Sequence, residues 1–204
     1  MASFISSLSP KSDAVAIFVN EKYEYKDPKG ILPNTLTQKI NSFLKITKIK
    51  KKDDEITSFD ISDKQKFFVV KVKSKYESFF PEESGGRFFS YLKKIKDLNS
   101  IDLYIDSLNF DKKRLIGFFS EFCLGFNLKS YTFNKYKTTN KEKINKKIIF
   151  NIVTSHKEKL QKEYKYYDAI KEGVFLSRDL VSEPPNVLNP KKYTEEIKKL
   201  TKLG

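Results

Sequence analysis

Few side chains of this 204-residue sequence have the type and spacing that catalytic chemistry requires. His156 is the one histidine and Cys123 the one cysteine, so no zinc site of ordinary spacing can be written. His156 falls where a helix should begin, and we expect it to be an exposed polar side chain. Cys123 lies on the apolar face of a predicted helix, where a thiol packs rather than attacks. These two residues therefore predict neither a metal site nor a nucleophile.

The acidic residues do not form a metal-ligand pattern either. Asp53, Asp54 and Glu55 form a run of loop charges in a charge-rich connector. Glu82 and Glu83 fall at the start of a predicted helix, where negative charge suits the helix dipole. Neither a G-x-S-x-G motif nor a Walker loop occurs. We therefore expect no catalytic, metal-binding or substrate-binding residue in this sequence.

Gly85 and Gly86 allow two interpretations. Adjacent glycines can cradle a phosphate, but such a loop has to follow a strand directly and precede a helix. Here residues 73–80 separate the preceding strand from the glycines, and no G-x-G-x-x-G is present. The structural alternative is a helix that closely approaches the sheet, at a cost of about 1 kcal/mol for each glycine relative to alanine. We favour this structural interpretation.

The composition is basic, since 40 Lys and Arg against 26 Asp and Glu give a net charge of +14. A charge of this kind is typical of nucleic-acid binding proteins. The arginines, however, are only Arg87, Arg114 and Arg178, whereas nucleic-acid readers tend to use Arg forks as well as Lys. A solvated, lysine-rich surface is therefore favoured. A standalone basic module that binds DNA or an ADP-ribose-like ligand, without catalysis, stays open as the alternative.

Nothing in the sequence directs the chain to a membrane or to an oxidising compartment. No apolar run approaches the roughly 18 residues of a membrane span, and residues 1–10 lack the basic and apolar regions of a signal peptide. A single cysteine cannot form an internal disulfide. The expected location is the cytoplasm, without a membrane partner.

Hydrophobic patterning predicts alternating strands and helices. Apolar runs predict strands near residues 14–19, 67–72, 101–106 and 148–153, with a weaker one at 56–61. Helical spacing predicts helices over 35–45, from Pro81 onward, over 111–126, over 156–182 and around Tyr193, Ile197 and Leu200. The alternation predicts an α/β fold with a mixed, partly parallel sheet flanked by helices, followed by a long linker helix.

Two of these helices carry further signals. The helix over 111–126 has an apolar stripe that we expect to be buried against the sheet. Its residues are Leu115, Phe118, Phe119, Phe122, Cys123 and Phe126. The long helix over 156–182 begins with Ser155 and Glu158 at the spacing of a capping box, which predicts Ser155 as its N-cap.

Residues 173–190, GVFLSRDLVSEPPNVLNP, join two predicted helices. The double proline at 184–185 cannot continue a helix, and Asn189 followed by Pro190 suits the start of the next one. This stretch resembles the junction of the cytosol leucyl aminopeptidase family, which runs close to GVNLARDLVNxPPNxLTP. Phe175 stands where the family has Asn, and Asn189 stands where it has Thr.

A second match to the same family lies upstream. Residues 124–126, LGF, and 131–137, YTFNKYK, resemble the family's LLGxYxFxxYK. Two ordered matches at compatible spacing are more specific than either alone. The likeness covers roughly residues 13–204 and is weak before residue 115.

The resemblance implies a metallo-aminopeptidase, that is, a hydrolase and protease in which two divalent cations, Mn or Zn, activate a water that attacks the peptide carbonyl. The family's metal ligands lie in C-terminal motifs of the NTDAEGRL type, and no such motif occurs here. No catalytic residue can therefore be carried over. The family's N-terminal domain is similar to the macro domain fold and supports the assembly of a hexamer.

The expected organisation is an N-terminal macro-like α/β domain at 1–154, a linker helix at 155–183 and, at 184–204, the truncated start of a C-terminal catalytic domain. The expected function is that of the N-terminal part of a metal-dependent leucyl aminopeptidase, which releases N-terminal residues from peptides. This part would serve assembly and support, hold no cofactor of its own and be inactive alone. Its expected partners are the missing catalytic domain and further copies of the chain.

Overall fold

The computed structural model describes residues 3–49, 54–138 and 147–201. Asp53 of the predicted acidic run and the last three residues of the 184–204 segment lie outside these ranges. Within them the central element is a six-stranded sheet in the order β1-β6-β5-β2-β4-β3. Its strands are β1 (Ser3–Ile5), β2 (Ala14–Val19), β3 (Ile56–Ser62), β4 (Gln65–Lys71), β5 (Ser100–Tyr104) and β6 (Ile149–Val153).

The sheet is mixed and mostly parallel. β1 pairs with β6, β6 with β5, β5 with β2 and β2 with β4, all in parallel, and β3 lies antiparallel to β4 at one edge. The predicted fold class, an α/β protein with a mixed sheet flanked by helices, is confirmed. The three-residue β1 was not predicted, because it is too short to show a hydrophobic period.

The strand predicted over 101–106 ends earlier than expected. β5 stops at Tyr104, and Ile105–Ser107 forms a short 3-10 turn instead. The hydroxyl of Ser107 accepts the backbone amide of Phe18 at 2.8 Å and so replaces a backbone acceptor of the ladder. The side chain of Ser107 therefore lets the backbone leave the sheet without an unsatisfied donor.

Helices cover both faces of the sheet. They are α1 (Asn34–Ile49), α2 (Phe80–Lys93), α3 (Lys112–Ser130), α4 (Lys157–Ser182) and α5 (Pro190–Leu200). α1 covers one face, where Ile40 belongs to the same apolar cluster as Ile17. α2, α3 and the start of α4 cover the other face, where Phe88, Phe122 and Leu160 share a second cluster. No helix in the described residues combines the length and the apolar character that crossing a membrane requires.

The aromatic stripe of α3 is buried as predicted. Phe118, Phe119 and Phe122 are each 2% exposed or less. The ring of Phe119 meets Phe18 of β2 edge-on, with 4.5 Å between the ring centroids, a geometry that aromatic pairs favour. Cys123 lies in the same cluster, and complete burial raises the pKa of its thiol. Cys123 is therefore a protonated packing residue rather than a nucleophile.

α2 and α3 approach each other through glycines. A Cβ atom added at Gly85 would lie 1.9 Å from the carbonyl oxygen of Phe122, and one added at Gly125 would lie 1.8 Å from that of Glu82. The close approach predicted at Gly85 and Gly86 is therefore real, but the prediction that it is made to the sheet is wrong. The neighbouring helix is the partner, because the sheet-facing side of α2 is already filled by phenylalanines.

The predicted capping box at the start of α4 is also wrong. His156 is the N-cap residue, and its side chain makes no capping hydrogen bond. Ser155 instead donates its amide and its hydroxyl to one carboxylate oxygen of Asp106, each at 2.7 Å. Thr154 donates its hydroxyl to the other oxygen at 2.6 Å. A buried carboxylate such as that of Asp106 has to be hydrogen-bonded. Ser155 supplies two of these hydrogen bonds, and it therefore neither caps the helix nor forms the capping box with Glu158.

Candidate functional site at the junction of the domain and its C-terminal helices

The side chains singled out for chemistry lie apart from one another. Cys123 is in the core, whereas His156 lines a cavity of about 450 Å³ whose wall includes Lys29, Lys112 and Lys157. In the part of the chain that the structure describes, no group of three or more His, Cys, Asp or Glu side chains could hold a metal ion. These residues do not fit the two cations that the family resemblance implies, so no metal chemistry is assigned to them.

Two buried carboxylates were missed by sequence reasoning. Asp102 is fully buried and accepts the amide of Ser9 at 2.5 Å and the side-chain amide of Asn151 at 2.8 Å. Asp106 is bonded as described above. Both carboxylates hold loop residues against the sheet. Because their oxygens already accept these hydrogen bonds, we assign both residues a structural role. In the sequence they are indistinguishable from the polar positions of an alternating strand.

Open sheets of parallel strands bind ligands beyond the carboxyl ends of two neighbouring strands whose connections leave towards opposite faces. Here these strands are β2, followed by α1, and β5, followed by α3. Residues 20–32 close this place: the amide of Lys26 donates to the carbonyl of Ser107 at 2.8 Å, and the hydroxyl of Tyr104 donates to Asp27 at 2.7 Å. Residues 20–32 thus cross the crevice and bond to the end of β5, and the geometry lends no support to the ADP-ribose alternative.

The two stretches that resemble the aminopeptidase family contact each other. Arg178 of α4 donates a guanidinium hydrogen bond to the carbonyl oxygen of Leu128, in the last turn of α3, at 2.7 Å. The same guanidinium lies over the ring of Tyr131, 5.4 Å from its centroid. A cation at a helix C-terminus satisfies a free carbonyl and suits the helix dipole. Arg178 therefore attaches the junction to the end of α3.

Tyr131 is also held by two other residues of α4. Its hydroxyl donates to a carboxylate oxygen of Asp179 at 2.7 Å, and its ring lies 5.1 Å from that of Phe175 between centroids. Desolvation and the bond to Asp179 raise the pKa of Tyr131, which keeps the phenol a donor. Phe175 is a position where this sequence departs from the family pattern, and the departure places an aromatic ring on Tyr131.

Glu183, just past the end of α4, makes a third attachment. The ammonium of Lys135 lies 2.6 Å from one carboxylate oxygen, and the hydroxyl of Tyr136 donates to the other. The hydrogen bonds from Lys135 and Tyr136 lower the pKa of Glu183, and the bond to Glu183 raises the pKa of Lys135. We call these contacts the latch: Leu128, Tyr131, Lys135 and Tyr136 on one side, and Phe175, Arg178, Asp179 and Glu183 on the other.

The joint that follows the latch is as the sequence predicted. α4 ends at Ser182, directly before the double proline region. The carbonyl of Pro184 accepts the amide of Val187 at 2.9 Å and closes a turn. Asn189 then accepts the amide of Lys192 with its side chain at 3.0 Å, which is the capping bond expected of an N-cap residue. The predicted helix end and the predicted N-cap are confirmed.

α5 leads away from the joint with an uncovered apolar face. None of its residues, all of which the structure describes, is buried. Tyr193, Ile197 and Leu200 lie at helical spacing and are 48%, 41% and 38% exposed. An apolar stripe of this kind normally faces a partner.

Comparison with known proteins bears on this junction. No protein-family model matches the chain. Over 124 residues it is 36% identical to a protein of Agrobacterium fabrum named "Probable cytosol aminopeptidase", which is 59% of this chain and 24% of that protein. A protein of the same name from Phytoplasma mali is 45% identical over 86 residues, 41% of this chain and 17% of that protein. The chain thus spans about a quarter or less of the length of these curated relatives.

Solved structures agree on the fold. A mutant of tomato leucine aminopeptidase superposes with a TM-score of 0.75 at 18% identity, covering 99% of this chain and 42% of that one. The bottromycin maturation enzyme BotP, solved in complex with Mn, gives a TM-score of 0.60 at 12% identity, covering 94% and 36%. The predicted resemblance to cytosol aminopeptidases is therefore confirmed in sequence over about half of the chain, and the fold is one that leucine aminopeptidase contains.

Proposed function

We propose that this chain is the N-terminal part of a metal-dependent leucyl aminopeptidase, which releases N-terminal residues from peptides. The latch is the observation that supports it best. Two stretches that resemble the family separately, and lie about 50 residues apart in the sequence, are bonded to each other through Arg178, Tyr131 and Asp179. The similarity to proteins named cytosol aminopeptidase supports the same conclusion.

In this proposal residues 1–154 form a supporting domain, residues 155–183 a linker helix and residues 184–204 the start of the catalytic domain. The apolar face of α5 packs on the catalytic domain that follows it. The latch fixes the direction in which α4 delivers the chain to that domain. In this proposal residues 1–183 therefore position the catalytic domain and take no step in the reaction.

The metal chemistry belongs to the part that follows. Two divalent cations, Mn or Zn, supply an activated water for attack on the substrate carbonyl. The described residues offer no group that could hold them, and the catalytic domain has to provide the ligands. We further propose that such chains assemble into a hexamer, as the family resemblance implies. We place the hexamer in the cytoplasm, in agreement with the name cytosol aminopeptidase that the relatives carry.

The reading frame downstream of Gly204 gives the first test. We expect it to continue and to encode a motif of Asp, Glu and Lys metal ligands within about 200 residues, the length of a typical domain. A continuous frame without such a motif would overturn the proposal. The outcome needs no assumption about folding, because it is read from the sequence.

Activity gives the second test. We expect the 204-residue chain to leave leucine amides and leucyl peptides intact with added manganese or zinc. The extended protein should hydrolyse them, and a chelator should abolish the hydrolysis. Chelator-sensitive turnover by the 204-residue chain alone would place the active site within these residues and contradict the proposal.

A further inference from the structure

The long helix α4 is attached to the domain in two different ways, and the first is apolar. Leu160 and Tyr164 are the buried residues of this 26-residue helix, all of which the structure describes. The hydroxyl of Tyr164 accepts a hydrogen bond from Asn127 of α3 at 2.9 Å, and its ring meets Phe4 of β1 with 5.6 Å between centroids. The first two turns of α4 are therefore part of the core.

The second attachment is partly exposed and combines polar bonds with half-buried apolar side chains, among them Ile170, Val174 and Leu180. Residues 165–182 extend about 27 Å beyond Tyr164 at 1.5 Å per residue. These residues bond to the domain at two places. The hydroxyl of Tyr167 donates a hydrogen bond to the carboxylate of Glu121 at 3.3 Å, and the latch supplies the other bonds. The second half of α4 thus lies on the domain without a buried side chain of its own.

This half of the helix has little stability of its own. Gly173 lies in its middle, and a Cβ atom added there would meet nothing within 4 Å, so no packing contact compensates for the flexibility of glycine. Most helical stability in proteins comes from the packing of one helix face rather than from intrinsic propensity. The helical state of residues 165–182 therefore depends on their being docked.

We propose that residues 165–182 exchange between a docked helix and a released, frayed segment, and that the latch sets the balance between the two. Arg178 is its central positioning residue, because it binds the carbonyl of Leu128 and covers the ring of Tyr131 at the same time. Release changes the direction in which the chain reaches the double proline, while the core from β1 to Tyr164 stays folded. This device concerns the present chain alone, whether or not a catalytic domain follows it.

Hydrogen exchange of the backbone amides, measured on the 204-residue chain by mass spectrometry, tests this device. In Arg178→Met we expect the amides of residues 172–182 to exchange about tenfold faster, because a hydrogen bond from a charged donor is lost. The amides of residues 157–164 should exchange at the wild-type rate. In wild type, about 1 M NaCl should accelerate exchange of residues 172–182 about threefold, since salt screens the pair of Glu183 with Lys135, whose lysine side chain is 56% exposed.

Glu183→Gln and Glu172→Gln form a matched pair of variants on the same chain. Glu183 belongs to the latch, whereas Glu172 is 70% exposed and pairs with Lys171 of its own helix. We expect Glu183→Gln to accelerate exchange of residues 172–182 about threefold and to remove the effect of salt. Glu172→Gln should leave the rates within error of wild type.

Three results would overturn the inference. The first is wild-type exchange of residues 172–182 in Arg178→Met. The second is an equal acceleration of residues 157–164, because α4 would then open as one unit. The third is an equal effect of Glu172→Gln and Glu183→Gln. None of these results bears on the aminopeptidase activity, which is tested separately on the extended protein.

Discussion

The hydroxyl of Tyr131 lies 2.7 Å from a carboxylate oxygen of Asp179, across 48 residues of sequence. One residue belongs to the upstream stretch that resembles the aminopeptidase family and the other to the junction. The first stretch supplies the donor and the second supplies the acceptor. The two patterns are therefore halves of one contact, and loss of either side chain would remove this hydrogen bond.

The glycine contact between α2 and α3 predicts a large loss of stability in Gly125→Ala. The added Cβ atom would lie 1.8 Å from the carbonyl oxygen of Glu82, so one of the two helix backbones has to move. We expect the free energy of unfolding to fall by about 3 kcal/mol, the upper range for overpacking. Urea denaturation of the purified chain measures it.

Gly117→Ala is the matched control on the same helix. A Cβ atom added at Gly117 meets nothing within 4 Å. Because alanine favours a helix over glycine, this variant should be more stable than wild type by up to about 1 kcal/mol. Equal effects of Gly117→Ala and Gly125→Ala would show that the close approach of the two helices does not decide stability.

The aromatic core predicts a strong effect of Phe122→Ala. Phe122 is fully buried and makes ring contacts with Phe18, Phe88 and Phe118. Truncation of such a side chain should lower the free energy of unfolding by about 4 kcal/mol, as the sum of lost burial and an unfilled cavity. Phe79→Ala, at a side chain 72% exposed, should change it by less than about 0.5 kcal/mol. Thermal or urea unfolding that ranks the two variants the other way contradicts this assignment of the core.

The latch predicts an unusual titration of Glu183. Hydrogen bonds from Lys135 and Tyr136 hold its pKa below the ordinary value of 4.5. A lowered folded pKa means that these bonds contribute stability above the ordinary value and lose it as the pH falls through the folded value. Carboxyl NMR of a Lys135→Met variant should show the pKa of Glu183 moving back towards 4.5. An unchanged pKa in that variant would mean that Lys135 does not bind Glu183 in solution.

Glu121 predicts the opposite pH dependence. Partial burial, and the nearby charge of Glu82, raise the pKa of Glu121 above the ordinary 4.5, although a hydrogen bond from Tyr167 opposes the shift. The folded chain then binds more protons than the unfolded chain between the ordinary and the raised pKa, so stability falls as the pH rises through this window. Glu121→Gln should remove this fall and be more stable than wild type at neutral pH.

Glu82→Gln controls for the cause of that shift. It should reduce the fall in stability only in part, because burial is the larger cause. Urea denaturation at a series of pH values from about 4 to about 8 measures all three proteins. A Glu121→Gln variant that follows the wild-type curve would show that the carboxyl of Glu121 is solvated.

The elements of the fold could largely be predicted, because their signals are local. β2 is buried at every position and therefore reads as an unbroken apolar run. The aromatic stripe of α3 has the spacing of a buried helix face. What could not be predicted depends on partners that are distant in the sequence. The hydroxyl of Ser107 accepts a hydrogen bond from the amide of Phe18 where β5 ends. The hydroxyl of Ser155 bonds to Asp106 and therefore does not cap α4.

The candidate site shows the same limit. The sequence located both stretches of the latch and the joint at 184–185, because prolines, caps and motif letters are local features. It could not show that Arg178 reaches the carbonyl of Leu128, since that contact depends on how α3 and α4 pack. It also could not show that residues 20–32 cross the crevice beyond β2 and β5, since that requires the position of Tyr104 relative to Asp27.

While residues 165–182 are docked, α4 is one continuous helix that links the core to the latch, so a tilt at its core end is carried along its whole length. From Tyr164 to Ser182, α4 extends about 27 Å, so a tilt of about 10° at its base would displace its tip by about 5 Å. A shift of about 1 Å between Leu160 and Tyr164, which are about 6 Å apart along the helix axis, is thus enlarged to about 5 Å at the tip of the helix. Substitutions deep in the apolar cluster, far from any surface, could thus redirect whatever the chain carries after its double proline.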